Sequence, residues 1–424
     1  MSVVSKGPDE KATQEFVRRA QSLIPLIRSQ AREAEKSRRI PDEVMAAIEK
    51  ADLLNALVPK VFGGQGLGMR ALCEAGRAIA QGDASTAWVT SFLIEHNWMA
   101  CYFPMSFQKE LFAKRNYIKM SGALAQNGKA DKVPGGYRVT SVFRYSSASM
   151  NADWIFGGSL VEEHGEKVPY GFFFPVEDVV LLDNWHFSGM AATSSGDVEV
   201  HDVFVPENRA IPLHQLHSHG EHPGAVHEES LMRYPILPAL YAMMMAIALG
   251  CGERVIELGR QKLATSAPWG IKRIDRESSR VRWLKARQEV RICQLIYEDV
   301  LETVIRKGEA QEEWTLEETA QVEFDRVTVA HNALRAVRLI ADGSGSSSFS
   351  LDDELQRYLR DIQVIANHIG LDWDLAADRD SRWLLGLGRN DTDPHAAIQK
   401  QAAKQKAQGE ESEADGRDPL EKVA

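Results

Sequence analysis

Residues 197–206 read DVEVHDVFVP, and this stretch decides the fold class because its valines alternate with polar residues. A period of two, with β-branched side chains and a closing proline, is typical of a β-strand. Residues 137–143 (YRVTSVF) have the same period, and short aromatic or β-branched runs follow at 154–160 and 170–175. The middle third of the chain is therefore predicted to form a compact antiparallel sheet or barrel.

Helical periodicity lies on both sides of this β-rich stretch. Before it, apolar residues recur at helical spacing from Phe16 to Ile27, and further helices are predicted at 41–51, 69–81 and 85–102. After it, long segments have the same pattern, and they lie at about 238–265, 275–306, 315–341 and 351–387. Four long helices in succession predict an antiparallel four-helix bundle.

The order of these elements is helices, then sheet, then bundle, which is an α+β arrangement rather than alternating βαβ units. It predicts an N-terminal helical domain at 1–116, a central β domain at 117–224 and the C-terminal four-helix bundle at 225–397. Residues 398–424 are rich in Gln, Lys and Glu and have almost no large apolar residues, so a disordered tail is expected there.

Composition argues against several classes of protein. A net charge of −10 and a pI of about 5.7 argue against nucleic acid as a partner. The four cysteines form no CxxC pair, so we expect no disulfide framework and no zinc site, and a cytoplasmic location fits. The longest apolar run, at 236–250, is too short to span a bilayer, so no membrane association is expected. No GxGxxG follows a predicted strand and no Walker loop is present, so no nicotinamide-binding domain is predicted.

Residues 362–374 (IQVIANHIGLDWD) place one histidine, His368, inside an otherwise apolar, helix-like run. Asp372 follows four residues later, so on a helix both side chains would share a face. An imidazole with a carboxylate one turn away has a tunable pKa, which suits proton transfer. A lone histidine on a helix is more often a packed core residue, and Asp372 is as readily a solvated charge. The spacing alone leaves these alternatives open.

Five stretches resemble known enzymes. Residues 52–68 (DLLNALVPKVFGGQGLG) and 82–89 (GDASTAWV) resemble N-terminal segments of the acyl-CoA dehydrogenase superfamily. The others resemble oxygenase components of two-component flavin-dependent (group D) monooxygenases, such as the 4-hydroxyphenylacetate hydroxylase oxygenase and steroid-degrading phenol hydroxylases. They are GYRVTSVFRYSSASMNADW at 136–154, WHFSGMAATSSGDVEVHDVFVP at 185–206, and the segment at 356–374. The likeness covers roughly residues 12–390 and implies an acyl-CoA dehydrogenase-like fold.

The resemblance implies an oxygenase that hydroxylates an aromatic or polycyclic substrate with O₂. Reduced flavin, FADH2 or FMNH2, would come from a separate NAD(P)H:flavin reductase and react through a C4a-hydroperoxide. A homotetramer or homodimer is implied, because this architecture usually builds its flavin site across subunits. The alternative is an acyl-CoA dehydrogenase-like oxidase or dehydrogenase, or an oxygenase acting on a CoA thioester or an amine nitrogen. No segment clearly supplies the glutamate base that the dehydrogenases use, which favours the first reading; a non-catalytic flavin module ranks last.

The resemblance also suggests site residues. His368 would be the base that deprotonates a phenol, oriented by Asp372, and His96 (in FLIEHNWMA) would contact flavin or substrate. Ser147 and Ser188 match serines near the isoalloxazine. Thr193 and Ser195 are weaker candidates for flavin contacts, and Trp185 would flank the flavin ring, although aromatic residues in such strands are more often core residues. The alternatives, in which these residues have only a structural role, are a packed histidine for His96 and ordinary turn residues for the serines.

Two further segments carry polar clusters. The glycine- and serine-rich segment at 343–348, GSGSSS, would cradle a flavin phosphate through Gly343, Ser344 and Ser346, or would serve as a flexible linker. Arg260 and Arg273 are candidate phosphate partners.

Residues 214–224 (HQLHSHGEHPG) contain four histidines in no ordinary metal-ligand spacing, so no metal site is predicted and a mobile lid or surface loop is expected. Met190-Ala191-Ala192 departs from the oxygenases, which usually carry a basic residue at this point.

Overall fold

The computed structural model describes residues 9–163 and 165–387, so the tail predicted at 398–424 lies outside the described residues. The helices are α1 (Glu10–Ser22), α2 (Ile24–Ser37), α3 (Asp42–Lys50), α4 (Met69–Ala80), α5 (Ala84–Ala100), α6 (Met105–Leu111), α7 (Ile236–Thr265), α8 (Glu277–Ala310), α9 (Leu316–Asp342), α10 (Glu354–Ala366) and α11 (Trp373–Leu384). The strands are β1 (Met120–Val133), β2 (Gly136–Phe143), β3 (Trp154–Glu163), β4 (Glu166–Pro175), β5 (Val180–Leu181), β6 (Val198–Pro206) and β7 (Ala210–Pro212).

The predicted order of helices, sheet and helices is confirmed. Side-chain caps define several helix starts: Asp83 accepts a hydrogen bond from the Thr86 N–H at 2.8 Å, and Thr315 forms a reciprocal capping box with Glu318. The helix predicted near Phe16–Ile27 divides into α1 and α2, because Pro25 in the first turn of α2 has no N–H to continue the α1 ladder.

The sheet has seven strands in the order β5-β6-β2-β1-β3-β4-β7, and it is mixed rather than antiparallel as predicted. Strands β1 and β3 run parallel, with Met120 opposite Trp154. Strand β1 was not predicted, since its glycines and lysines are poor strand formers and its partners supply the pairing. Because β1 and β3 are parallel, their N-terminal ends lie side by side, and β1 packs against α5.

The C-terminal helices differ from a bundle of four long ones. Helices α7, α8 and α9 are long, but the segment predicted as a fourth helix at 351–387 breaks into α10 and α11 around a short 3₁₀ turn, Ile369–Leu371. The break has local causes. Asn367 ends α10, and Asp372 caps α11 by accepting the Leu375 N–H at 3.0 Å. His368 and Asp372 therefore do not share a helix face, and that expectation was wrong.

Helix α7 begins at Ile236 and runs for 30 residues, twice the length of the apolar run seen at 236–250. By length and composition it would be long enough to cross a membrane, yet 83% of its most apolar window is buried inside the protein. It packs against α4, α8 and α9, so it is the core helix of the C-terminal part. The predicted domain boundaries stay predictions.

The loop before β6 is fixed to α10 by close backbone contacts. The Met190 N–H donates to the Asp361 carboxylate at 2.6 Å, and the Ser188 carbonyl accepts from the Arg360 guanidinium at 2.5 Å. Gly189 lies so close that a Cβ there would be 2.2 Å from the Arg360 carbonyl oxygen. These contacts therefore fix the position of the loop relative to the C-terminal half of α10.

We predict that Gly189→Ala destabilises the protein by about 1–3 kcal/mol, because the new methyl group meets a backbone atom that cannot rotate away. Chemical denaturation of the full chain measures the change. His186→Ala, at an exposed position in the same loop, is the matched control and should unfold like the wild type. Equal stability of the two variants would show that the loop is not anchored here.

Candidate active site

Helix α5 carries a stripe of rings on one face. Trp88, Phe92 and His96 recur every four residues, so they lie one above the other. The Trp88 and Phe92 ring centroids are 5.1 Å apart, and those of Phe92 and His96 are 5.4 Å apart. Because α5 is buried almost all round, this stripe forms an interior wall against the sheet and the C-terminal helices.

His96 is a neutral, oriented imidazole. Its Nδ1 lies 2.6 Å from the Met120 carbonyl oxygen, which can only accept, so Nδ1 carries the hydrogen and Nε2 is bare. Nε2 lies 3.4 Å from the Glu95 carboxyl, and a Cβ on Gly122 would touch the ring at 3.3–3.4 Å. Burial lowers the pKa of His96 to about 4 and raises the pKa of Glu95 to about 8. Both groups are uncharged at pH 7.

His368 lies at the other end of the same stripe, in the junction between α10 and α11. Its ring meets Trp88 edge to face at 5.2 Å. The Gly370 N–H donates to its Nδ1 at 3.1 Å, so in the neutral ring the hydrogen is on Nε2. Burial, reinforced by the charge of Arg326, lowers the pKa of His368 to about 4.

A row of hydroxyl groups begins at Trp88. The Trp88 indole N–H donates to Ser147 Oγ at 3.2 Å, and Ser147 Oγ is 2.8 Å from Ser195 Oγ. Ser195 Oγ is 2.7 Å from Thr193 Oγ1, which donates to the Met190 carbonyl at 2.8 Å. Because Thr193 donates to Met190, Ser195 donates to Thr193 and Ser147 donates to Ser195. The row therefore presents oxygen lone pairs, which are acceptors, to a ligand. Two loops distant in sequence thus meet beside the ring stripe.

The backbone of these two loops is strained. Tyr145 and Ala148 in one loop, and Met190 and Ser194 in the other, have φ between 44° and 68°. Non-glycine residues in the left-handed region cost about 1–3 kcal/mol each and concentrate at functional sites. The strain marks these loops as a candidate site independently of any motif.

The structure brings together five of the sequence-predicted site residues, which are His96, His368, Ser147, Thr193 and Ser195. Trp185 lies beside the hydroxyl row, because its indole N–H donates to the Met190 carbonyl at 3.0 Å. The Ser188 side chain is exposed and Asp372 is occupied as the cap of α11. Trp88 was not predicted, although its four-residue spacing to Phe92 and His96 was visible in the sequence.

The segment at 343–348 lies at a separate groove at the end of α9. Gly343 and Ser344 line it together with Lys262, Arg273 and Arg282. Gly345 has φ of +84°, and a Cβ there would be 2.8 Å from the Arg273 guanidinium. Ser344 Oγ donates to the Ile340 carbonyl at 2.6 Å, which leaves its oxygen lone pairs as acceptors. Arg260 is exposed and pairs with Glu257, so it is not part of this groove.

The four-histidine loop is more buried than a surface lid. His222 stacks on Tyr102 with ring centroids 3.9 Å apart, and its Nε2 lies 2.7 Å from the Met232 carbonyl. His217 and His219 line a cavity of about 240 Å³ whose apolar wall includes Tyr241, Trp314 and Trp383. Within residues 9–163 and 165–387, no three His, Cys, Asp or Glu side chains are grouped as a metal site.

Comparisons with known proteins agree with the fold. The profile of the acyl-CoA dehydrogenase N-terminal domain matches residues 8–110, and that of the C-terminal domain matches residues 240–373. A pigment production hydroxylase of Rhodococcus sp. is 29% identical over 383 residues, which are 89% of this chain and 98% of that protein. The oxygenase component of an FADH(2)-dependent resorcinol hydroxylase from Rhizobium sp. is 26% identical, over 91% of this chain and 98% of that protein.

A crystal structure of 3-HSA hydroxylase from Rhodococcus sp. RHA1 superposes with a TM-score of 0.83 at 26% identity, covering 89% of this chain and 98% of that one. The match spans both helical parts and the sheet between them, so the whole architecture is shared. The chain belongs to the acyl-CoA dehydrogenase family, and over most of its length it is similar to the oxygenase components of flavin-dependent monooxygenases.

Proposed function

We propose that this protein is the oxygenase component of a two-component flavin-dependent monooxygenase that hydroxylates an aromatic or polycyclic substrate. Reduced flavin, FADH2 or FMNH2, comes from a separate NAD(P)H:flavin reductase, and O₂ is the co-substrate. The observation that carries the proposal is a partly buried seam that joins His96 to His368 and consists of the rings of Trp88 and Phe92 and the hydroxyls of Ser147, Ser195 and Thr193. The similarity to a resorcinol hydroxylase oxygenase component supports it.

The residues present fit a flavin. The row formed by Ser147, Ser195 and Thr193 offers hydrogen-bond partners beside Trp88, as a flat, polar-edged ring requires. The basic groove around Arg273 and Ser344 suits a phosphate. When bound, the reduced flavin supplies the activation of O₂, which no amino-acid side chain can provide. The chain's own residues exclude water, orient the substrate and handle its proton.

His368 is the proposed residue that acts on the substrate hydroxyl. The tautomer that Gly370 favours makes Nε2 a donor, and a donor at the substrate oxygen favours phenolate over phenol. The role of general base requires the hydrogen to move to Nδ1, so that role stays a prediction. Asp372 caps α11 instead of orienting the ring, so we propose no catalytic role for it.

His96 is proposed to contact flavin or substrate through its bare Nε2. The Met120 carbonyl fixes the tautomer, and Gly122 places no side chain against Cε1 and Nε2 of the ring. The alternative of a dehydrogenase acting on a CoA thioester needs an ionised glutamate as base. Glu95, the buried glutamate beside His96, has a pKa raised to about 8 and is neutral at pH 7, which does not favour that alternative.

A homo-oligomer, a tetramer or a dimer, is proposed from an exposed apolar surface around the start of α8. The exposed side chains there are Trp269, Ile271, Ile274, Val281 and Leu284, and Trp269 is 97% exposed. Large contiguous apolar surfaces on a soluble chain mark contacts with other proteins. A cytoplasmic location is proposed because Cys73, Cys101, Cys251 and Cys293 are all free thiols.

We predict that the anaerobic protein, mixed with reduced flavin and a phenol such as resorcinol and then exposed to O₂, forms hydroxylated product in preference to hydrogen peroxide. His368→Phe, which fills the space without a polar atom, should lose product on the order of 100-fold. His368→Gln, which keeps an N–H donor, should stay within about tenfold of the wild type if donation is the role.

Product and peroxide are quantified per flavin oxidised. Equal loss in both variants would assign His368 as the base rather than the donor. Peroxide as the only product of the wild type across a panel of phenols would reject the oxygenase. Unchanged yield in His368→Phe would remove His368 from the reaction.

We predict that the contribution of His368 to product yield stays constant between about pH 5.5 and about pH 8. Its pKa of about 4 means that the ring stays neutral until the pH falls well below the ordinary value for histidine. The ratio of product yields, wild type over His368→Gln, should therefore be constant over this range. A transition in that ratio near pH 6.5 would contradict the neutral buried ring.

We predict that Leu284→Glu shifts the protein towards smaller assemblies, because the new charge would lie inside the proposed contact. Light scattering after size-exclusion chromatography measures the mass. Lys285→Glu, at the next exposed position of α8, controls for charge alone. A wild type that is monomeric at micromolar concentration would refute the proposed assembly.

A further inference from the structure

A buried polar corner lies where α7 meets α9. Tyr241 and Arg326 are 3% and 4% exposed, and the Arg326 guanidinium lies over the Tyr241 ring at 3.6 Å. Arg326 donates from Nε to the Glu323 carbonyl at 3.2 Å, but its Nη1 has no hydrogen-bond partner in the part of the chain that the structure describes. The Tyr241 hydroxyl lies within reach of the Arg326 guanidinium and finds no acceptor among those residues. Buried donors without partners cost stability, so this pair is suited to a ligand.

In the part of the chain that the structure describes, no salt bridge takes up the charge of Arg326. Glu323, one turn before it in the same helix, pairs with Arg379, and Arg379 also donates to Asp380 at 2.9 Å. Among residues 9–163 and 165–387, Arg326 itself forms no ion pair with a carboxylate. A guanidinium that is buried without an anion is the residue type that binds carboxylate or phenolate oxygens.

This corner borders the cavity of about 240 Å³, because Tyr241 forms part of the cavity wall and Arg326 lies directly behind it. Leu237, Trp314, Leu316 and Trp383 supply apolar and aromatic surface in the same wall. An apolar cavity with a few convergent polar groups is the usual form of a small-molecule site. The aromatic wall suits an aromatic body, and Glu313 and Glu323 line the same cavity, so an acidic oxygen would need the neighbouring charge of Arg326.

The same corner is close to the candidate active site. Met244 lies one helical turn from Tyr241 on α7, and a Cβ on Gly370 would be 3.5 Å from the Met244 sulfur. The field of Arg326 also reaches the His368 imidazole. The corner therefore lies between the cavity and the residue that handles the substrate proton.

We propose that Arg326 and Tyr241 form an oxyanion-binding pair that holds an acidic oxygen of the aromatic substrate. The Arg326 Nη1–H and the Tyr241 O–H donate to the same anionic oxygen, either a phenolate or a ring carboxylate. This inference rests on the proposed function for the aromatic nature of the substrate. It adds the chemical class: phenols and aromatic acids rather than neutral arenes or ethers.

The test measures ligand binding to the full chain without reduced flavin. Two matched pairs of probes separate the two oxyanions: 4-nitrophenol against 4-nitroanisole, and 4-hydroxybenzoate against 4-hydroxybenzamide. The variants are Arg326→Gln and Tyr241→Phe, and the control is Arg335→Gln, an exposed arginine on the same helix. Tyr241→Phe removes one oxygen without changing the packing, so it carries the test if Arg326→Gln does not fold.

We expect the wild type and Arg335→Gln to bind the acidic member of at least one pair on the order of tenfold more tightly than its neutral counterpart. Arg326→Gln should abolish that preference, and Tyr241→Phe should reduce it. A phenolate site shows as ionisation of bound 4-nitrophenol at a lower pH than in solution, read from its absorbance. A carboxylate site shows as a preference for 4-hydroxybenzoate.

The pair is refuted if the wild type makes no distinction within either pair of probes, or if both variants keep the wild-type preference. These outcomes are independent of oxygenation. A protein that shows the preference yet releases only peroxide loses the proposed function and keeps the oxyanion site. A protein that hydroxylates but shows no preference keeps the function and loses the site.

Discussion

The hydrogen bond from the Met190 N–H to the Asp361 carboxylate is the contact on which the candidate site depends. It joins the loop that carries Thr193 and Ser195 to the helix that ends just before His368. The bond is buried, and burial together with nearby Asp83 raises the pKa of the Asp361 carboxyl. The fold has to hold this carboxyl in surroundings that disfavour its charge. The bond therefore forms only because the loop before β6 and helix α10 are positioned precisely against each other.

Burial also sets the chemistry of the ionisable groups. His96, His368 and Glu95 are all driven towards their neutral forms, because an apolar interior disfavours charge. A neutral interior suits a reaction in which stray proton transfer would waste reduced flavin. Against this background Arg326 is distinctive, since it is buried and its charge has no carboxylate partner in the described part of the chain.

The candidate site is assembled from several segments that are distant in sequence rather than from one motif. Helix α5 supplies the ring stripe, two strained loops supply the hydroxyls, and the junction of α10 and α11 supplies His368. Some of these segments are separated by hundreds of residues in the sequence, and no local pattern relates Trp88 to Ser147. Their hydroxyl and indole groups satisfy one another, which keeps the seam ordered before a ligand arrives.

Local periodicity was enough to predict the elements whose side chains alternate or recur regularly. Helix α4 was expected at 69–81 and spans Met69–Ala80, and β2 was expected at 137–143 and spans Gly136–Phe143. The motifs of the family and the residues His96, His368 and Ser147 were likewise visible. Long-range contacts alone established the rest. The helix break beside His368 is a local exception, because Asp372 caps a new helix there. Strand β1 exists because β2 and β3 pair with it, and Arg326 reaches Tyr241 because α7 and α9 pack together. Such contacts depend on distances between remote segments, which the order of residues along the chain does not record.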